Sequence, residues 1–128
     1  MLWEANRQLG QTQAEVSGAT YLDWRSRSRA FAGIGAYRYR GFTLTATGSG
    51  SGAPERIASV DASPALFDVL GVPAFIGRTF TAEEERPGHE HLAVLSHGAW
   101  LRRFGGDRGV IGKTLLLDGE SHQIVGVM

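Results

Sequence analysis

The chain has 128 residues, 42% of them hydrophobic, with 13 basic and 13 acidic side chains and no cysteine. That length fits one domain or part of one, able to bury roughly two thirds of its unfolded surface. Zero net charge disfavours nucleic acid as a partner, the missing cysteines exclude disulfides and thiolate metal sites, and no window reaches the ~20 apolar residues of a membrane-spanning helix.

Residues 1–4 read as the tail of a strand and 5–15 as a polar stretch without a strong period; the first ten lack the apolar core of a signal peptide. From Ser17 the spacing predicts a helix, since Tyr21, Trp24, Ser28 and Phe31 recur at steps of three, four and three, while Arg25, Arg27 and Arg29 fall mostly off that face. The aromatic stripe is expected to pack on a sheet. Residues 34–40 and 42–46 read as strands with Gly41 as a break or bulge, and the Gly-Ser run at 48–52 as a mobile loop. Glu55 to Ala62 reads as a strand, with Ile57, Ser59 and Asp61 on one face and Ala58, Val60 and Ala62 on the other.

Ser63 offers an N-cap oxygen, Pro64 suits the first helical position, and Gly71 suits the left-handed C-terminal one, with Leu66, Phe67 and Leu70 as the buried stripe. Residues 72–80 are extended and kinked at Pro73 and Gly77; Thr81 caps a short turn through Glu85, ended by Pro87-Gly88. Leu92 to Leu95 is a short apolar strand. Ser96 caps a helix from His97 to Phe104, buried by Trp100, Leu101 and Phe104 and stopped by Gly105-Gly106. Residues 113–117 and 121–127 flank Asp118-Gly119, a type I′ hairpin signal that would align Leu115 with His122 and Leu116 with Ser121. That register does not alternate cleanly, so either the turn is wider or both faces are partly covered.

Several groups have the composition of chemical sites. His89-Glu90-His91 carries good zinc ligands, but an extended segment points Glu90 away from the two histidines and no third ligand is evident, so a polar loop is expected. Ser96-His97 lacks the Gly-x-Ser-x-Gly elbow, which leaves Ser96 as a cap rather than a nucleophile. Glu83, Glu84 and Glu85 read as a solvated turn, not acid/base carboxylates. Arg25, Arg27, Arg29, Arg38 and Arg40, interleaved with Tyr37 and Tyr39, could hold an anion, but their stems are expected to lie along helix and sheet edges. Arg102 and Arg103 sit in the last turn of their helix, where cations suit the dipole. Gly33-x-Gly35 lacks the third glycine of a dinucleotide fingerprint, Arg38 standing in its place. A phosphate loop ending at Gly112-Lys113-Thr114 would need glycine at Asp107, and Gly106 is one residue too early.

Larger blocks carry more information than these pairs. Tyr21-Leu22-Asp23-Trp24-Arg25, Pro54-Glu55-Arg56, Leu66-Phe67-Asp68-Val69-Leu70-Gly71-Val72, Gly77-Arg78-Thr79-Phe80, and Trp100 with Arg103-Phe104-Gly105-Gly106-Asp107 follow in an order and spacing that resembles the extracytoplasmic core domain of MacB-like ABC transporter permeases, of the FtsX-like permease family. The resemblance runs from Leu2-Trp3-Glu4 to Val125-Gly126-Val127-Met128.

It implies an α/β (α+β) fold: a mixed sheet with short packing helices, a porter-like βαβ unit, a β-rich subdomain and a C-terminal β-hairpin, all within a single, incomplete domain over residues 1–128. The chain begins where the family's first strand should be ending and stops where its domain continues. The implied role is non-catalytic, coupling ATPase cycling to movement outside the membrane in transport or efflux, on the periplasmic side of the bacterial inner membrane. No catalytic, cofactor-binding or metal-ligating residues and no cofactor carry over; Trp24, Phe67, Gly71, Gly77, Trp100, Gly105, Asp118 and Gly119 read as fold determinants. Expected partners are the remainder of the permease, with its transmembrane helices and ATPase domain or subunit, and a periplasmic adaptor protein, with no nucleic acid. Exposed strand edges would favour self-association. Two other classes of function are a small metal-dependent or acid/base hydrolase using His89, His91 and Glu83 to Glu85, and a free-standing anionic-ligand binder using the Arg25 to Arg40 cluster.

Overall fold

The computed structural model describes residues 4–6, 8, 10–47, 53–89 and 91–128. They fall into two units, Met1–Ile34 and Gly35–Met128. In the first, β1 (Glu4–Asn6) pairs antiparallel with β2 (Gln11–Ala14), following Gly10 at φ +67°. A polar stretch without a period thus forms a hairpin, since backbone pairing needs no apolar alternation. Helix α1 (Gly18–Arg27) is capped by Ser17, whose Oγ accepts from the Thr20 N–H at 3.1 Å. It stops at Arg27, so the expected aromatic face is cut short: Tyr21, Trp24 and Ser28 are half-buried, whereas Phe31 lies past the helix and is 52% exposed.

The second unit is built on a sheet. Strand β3 (Tyr37–Thr47) runs unbroken through Gly41, which pairs with Ala58 of β4 (Glu55–Ala62). The expected break at Gly41 is therefore absent, and the irregularity falls at Thr45, between the Leu44–Leu117 and Ala46–Leu116 pairs. The glycine-serine loop at 48–52 lies outside the described residues. Helix α2 (Pro64–Leu70) follows Ser63 and ends at Gly71, φ +66°, as its sequence requires. Two details differ from expectation. The Ser63 Oγ accepts from the Ala36 N–H at 2.9 Å instead of capping α2, tying the helix start to the approach to β3. Leu70 is 58% exposed, because so short a helix has its cover over the first four residues, Pro64 to Phe67, the last edge-on to Phe80 at 5.5 Å.

After β5 (Ile76–Gly77), a 3₁₀ turn (Ala82–Glu85) and β6 (Leu92–Leu95) comes α3 (His97–Phe104). Ser96 Oγ accepts from the Ala99 N–H and Gly105 closes the helix at φ +59°. Trp100 is 6% exposed and its indole N–H donates to the Asp107 carbonyl at 2.8 Å, while Leu101 is on the outer side at 49%. A second 3₁₀ turn (Arg108–Val110) leads to the hairpin of β7 (Thr114–Leu117) and β8 (Glu120–Val127). The turn has two residues, Asp118 at φ +49° and Gly119 at φ +83°, and the register is Leu115 with His122 and Leu116 with Ser121. The turn is not wider; both faces are partly covered, so the alternation stays irregular: His122 is buried beside Leu115, Glu120 is exposed opposite Leu117, and residues 124–127 are all buried. Asp118 also joins the hairpin to β3: its Oδ1 accepts from the Thr43 N–H at 2.7 Å and its own N–H donates to the Thr43 carbonyl.

The sheet path is β4-β3-β7-β8-β5, with β6 also on β8. Gly126 and Val127 pair with both β5 and β6, and Gln123 with both β7 and β6. Hence β7 and β5 lie end to end along one edge of β8, and β6 occupies the other. All pairs are antiparallel except β6 with β8, which α3 and β7 connect. The register shift between β6 and β8 leaves Val125 as a bulge, letting Ile124, Val125 and Val127 all be buried. Ile124, Val110 and Val127 are the best-covered residues of a core that also holds Leu44, Leu95, Trp100, Leu115 and Leu117. Each such aliphatic side chain contributes about 1.5–3 kcal/mol by leaving water.

Two backbones cross closely above this core. A Cβ on Gly126 would lie 2.0 Å from the Arg78 carbonyl oxygen, and one on Gly77 2.3 Å from that of Val125. Beside the crossing Arg78 grips Glu84 with both guanidinium nitrogens, at 2.9 and 2.7 Å, and Glu84 Oε2 also accepts from the Thr81 N–H at 2.8 Å. The Arg78 hydrogen bonds and charge, with the Thr81 N–H, hold the Glu84 carboxyl at about 2.

Gly126→Ala is expected to cost about 3 kcal/mol or more of unfolding free energy in denaturant titration, as backbone must move to admit the methyl. Gly18→Ala, with nothing within 4 Å of the added carbon, should be neutral or stabilising. Because the folded Glu84 pKa is depressed, its contribution is full above about pH 4.5 and fades as pH falls toward 2. Glu84→Gln should therefore lower stability at pH 7 by about 1–2 kcal/mol, solvent at the half-exposed Arg78 limiting the effect, and match the parent protein near pH 2.

Candidate functional site

The chemically suggestive residues of the second unit occupy four places, and in the first three the local chain explains their geometry. At the start of α3, Ser96 Oγ faces back to the Ala99 N–H, while the His97 ring packs against Phe75 at 5.5 Å and Trp100 at 5.3 Å between centroids. The hydroxyl serves the helix and the imidazole serves an aromatic cluster. After α3, Asp107 Oδ1 accepts from the Gly109 N–H at 2.8 Å and Oδ2 receives the Lys113 ammonium at 2.7 Å. Those two donors, Lys113 foremost, hold the Asp107 carboxyl below its usual range. Lys113 thus closes a 3₁₀ turn onto the β7 approach instead of reaching a phosphate.

On β3, residues two apart share a face. Arg38 and Arg40 both reach Asp61 of β4, at 2.8 and 3.3 Å, and Arg40 lies over the Phe42 ring at 4.9 Å. The opposite parity presents Tyr37 and Tyr39, edge to face at 5.6 Å, with Val60 paired beside Tyr39. Tyr39 is 77% exposed and Val60 44%. The other three arginines belong to the first unit, where Arg27 pairs with Asp23 at 3.3 Å and Arg25 lies over Tyr21 and donates to its hydroxyl. Arg103 of α3 pairs with Glu55 of β4.

The histidine-rich segment behaves differently from its sequence reading. Glu90 lies outside the described residues, and His89 is exposed. His91, at the threshold of β6, faces Glu120 and His122 of β8, and one ligand atom from each of the three lies within 4.8 Å of the others. The third ligand sought next to His91 in sequence comes from a strand some thirty residues later. Only the parallel β6–β8 pairing creates this neighbourhood, and no local spacing encodes it.

The expected fold determinants are placed as follows. Phe67 and Trp100 sit in aromatic contacts, Gly71 and Gly105 end helices, Gly77 makes the backbone crossing, and Asp118-Gly119 turns the hairpin; Trp24 is half-buried on α1. Sequence reasoning missed the Arg78–Glu84 lock, although the Gly-Arg-Thr-Phe block and a glutamate three residues after Thr81 were signals for it. Among the described residues, no helix is long and apolar enough to cross a membrane.

Known proteins place this architecture. The periplasmic region of MacB from Actinobacillus actinomycetemcomitans superposes with a TM-score of 0.70 over 98% of the chain, at 16% identity. The extracellular domain of the noncanonic ABC-type transporter YknZ from Gram-positive bacteria does so with a TM-score of 0.65 over 83%, at 18% identity. The chain spans 56% and 54% of those two structures. No curated protein matches the sequence. The family model described as the MacB-like periplasmic core domain matches residues 4–128. With that match over nearly its whole length, the chain belongs to the MacB-like periplasmic core domain family, the non-catalytic extracytoplasmic part of ABC-type permeases.

Proposed function

We propose that this domain serves as a coupling and interaction module, linking the ATPase cycle of its permease to movement on the outer side of the membrane during transport or efflux. The observation that carries the reading is the family match over residues 4–128, joined to a fold shared with two transporter extracytoplasmic domains. The physical design suits the role. A core closed around β8 transmits displacement as a body, since close-packed interiors deform little. The remainder of the permease, with its transmembrane helices and ATPase, is the first partner.

A periplasmic adaptor protein is the second, and the exposed Tyr37, Tyr39 and Val60 face offers aromatic contact area, a residue type favoured at interfaces. The outer edge of β4 is the surface on which a second copy would add, in keeping with an edge strand's unpaired backbone groups. Trp24, Phe67, Gly71, Gly77, Trp100, Gly105, Asp118 and Gly119 act in this reading by holding shape, within one domain over residues 1–128. The hydrolase reading falls with family membership. An anionic-ligand site on the arginines loses its basis because Arg38 and Arg40 share Asp61 and Arg27 pairs with Asp23.

In the intact permease, replacing residues 35–128 by a short Gly-Ser linker is expected to leave ATP hydrolysis measurable and reduce transport to background in a substrate-efflux assay. Transport at the parent level would overturn the coupling role.

A further inference from the structure

We propose that His91, Glu120 and His122 form a zinc site that ties the segment entering β6 to the β7–β8 hairpin. The backbone first sets the residues in place. The His91 carbonyl accepts from the Gln123 N–H at 2.9 Å, which pins His91 alongside β8. Glu120 and His122 are two apart on that strand and share a face. The three side chains converge: one ligand atom from each lies within 4.8 Å of the others, His91 Nδ1 stands 3.9 Å from Glu120 Oε2, and the two imidazole centroids are 5.2 Å apart.

The donor set fits zinc. Zinc–nitrogen and zinc–oxygen bonds of about 2.0–2.2 Å in tetrahedral geometry place ligand atoms roughly 3.3 Å apart. The contraction required falls on His91 and Glu120, whose side chains are 52% and 67% exposed and can rotate without disturbing the core. His122 is the fixed member. It is 7% exposed, rests against Phe42 at 6.0 Å, and its Nδ1 stands 3.0 Å from the Glu120 carbonyl oxygen. A carbonyl only accepts, so that contact puts the hydrogen on Nδ1 and leaves the Nε2 lone pair for a metal; metal-binding histidines commonly donate their other ring N–H to a carbonyl in this way. Two imidazoles and one carboxylate suit zinc better than calcium or magnesium, which prefer all-oxygen sites. A fourth position remains for water or for a side chain of a bound partner. The ion would join elements distant in sequence at the edge where β6 meets the sheet, giving it a structural role.

Isothermal titration of zinc chloride into the 128-residue chain, free of any histidine tag, tests this. The expected result is one ion per chain, with affinity reduced at least about tenfold in both His91→Ala and Glu120→Gln and little changed in His89→Ala. Cobalt substitution should give the intense visible bands of a tetrahedral site. Because His122 is buried and its alanine variant could unfold, its part is read in the parent protein by nitrogen NMR: zinc should shift the ring resonances of His91 and His122 and spare His97. Absence of stoichiometric binding overturns the proposal. So does binding that needs His89 yet survives Glu120→Gln, which would locate the ion in the His89-to-His91 loop.

Discussion

The pairing of β8 on both edges is the constraint on which the rest of the second unit depends. β7 and β5 share one edge and β6 takes the other, and β8 is buried continuously from Ile124 to Val127. Strict alternation would turn every second residue of that run to water, whereas cover on both faces keeps them all buried. The bulge at Val125 lets both β6 and β5 find partners at Gly126 and Val127. Gly126 then carries a steric condition of its own, since the Arg78 carbonyl occupies the space where a side chain would begin. The Arg78–Glu84 lock and the Gly77 crossing follow from that one close approach.

The ion pairs in this structure orient chain segments more than they stabilise the whole. Exposed pairs typically contribute 0–1 kcal/mol, and Arg38–Asp61, Arg40–Asp61 and Lys113–Asp107 all have substantially exposed members. Their effect is geometric. Asp107 closes a turn whose carbonyl holds the Trp100 indole, and Trp100 in turn seats α3 on the core. Charged residues that suggest chemistry when read singly therefore act as fasteners. In the proposed coupling role, function is carried by shape and by the surfaces that shape presents.

How much of this was legible in the sequence depends on the range of each signal. Helix α3 and strands β4 and β6 appear where Ser96, Gly105 and the apolar pattern place them, because caps and turns act over three or four residues. The Asp118-Gly119 hairpin and its register were equally local. Three features were not. The β1–β2 hairpin is held by backbone groups that carry no side-chain signature. Ser63 had the composition of a cap, but a backbone N–H at Ala36, 27 residues earlier, claimed its hydroxyl. The parallel β6–β8 pairing, and with it the meeting of His91, Glu120 and His122, follows from a crossover that only the folded sheet reveals. Leu70 and Leu101 show the opposite error: periodicity marks a face, but a helix of seven or eight residues lacks neighbours to cover all of it.

The placement of β8 also bears on how a coupling domain could carry load. Hydrogen bonds in a sheet lie across the strands, so displacement along β8 would shear several of them together instead of opening them one by one. The Met128 N–H donates to the Leu95 carbonyl and the Phe75 N–H to the Val127 carbonyl, so the last residues of the strand engage both neighbours. Movement delivered there would reach β6 and α3 on one side, and β5 with the Arg78–Glu84 lock on the other. At the opposite end of β8, Glu120 and His122 face His91, and a metal bridge would reinforce the β6 contact where the hydrogen-bond ladder begins. A strand paired along both edges moves only with its neighbours, the mechanical property that the proposed coupling role requires.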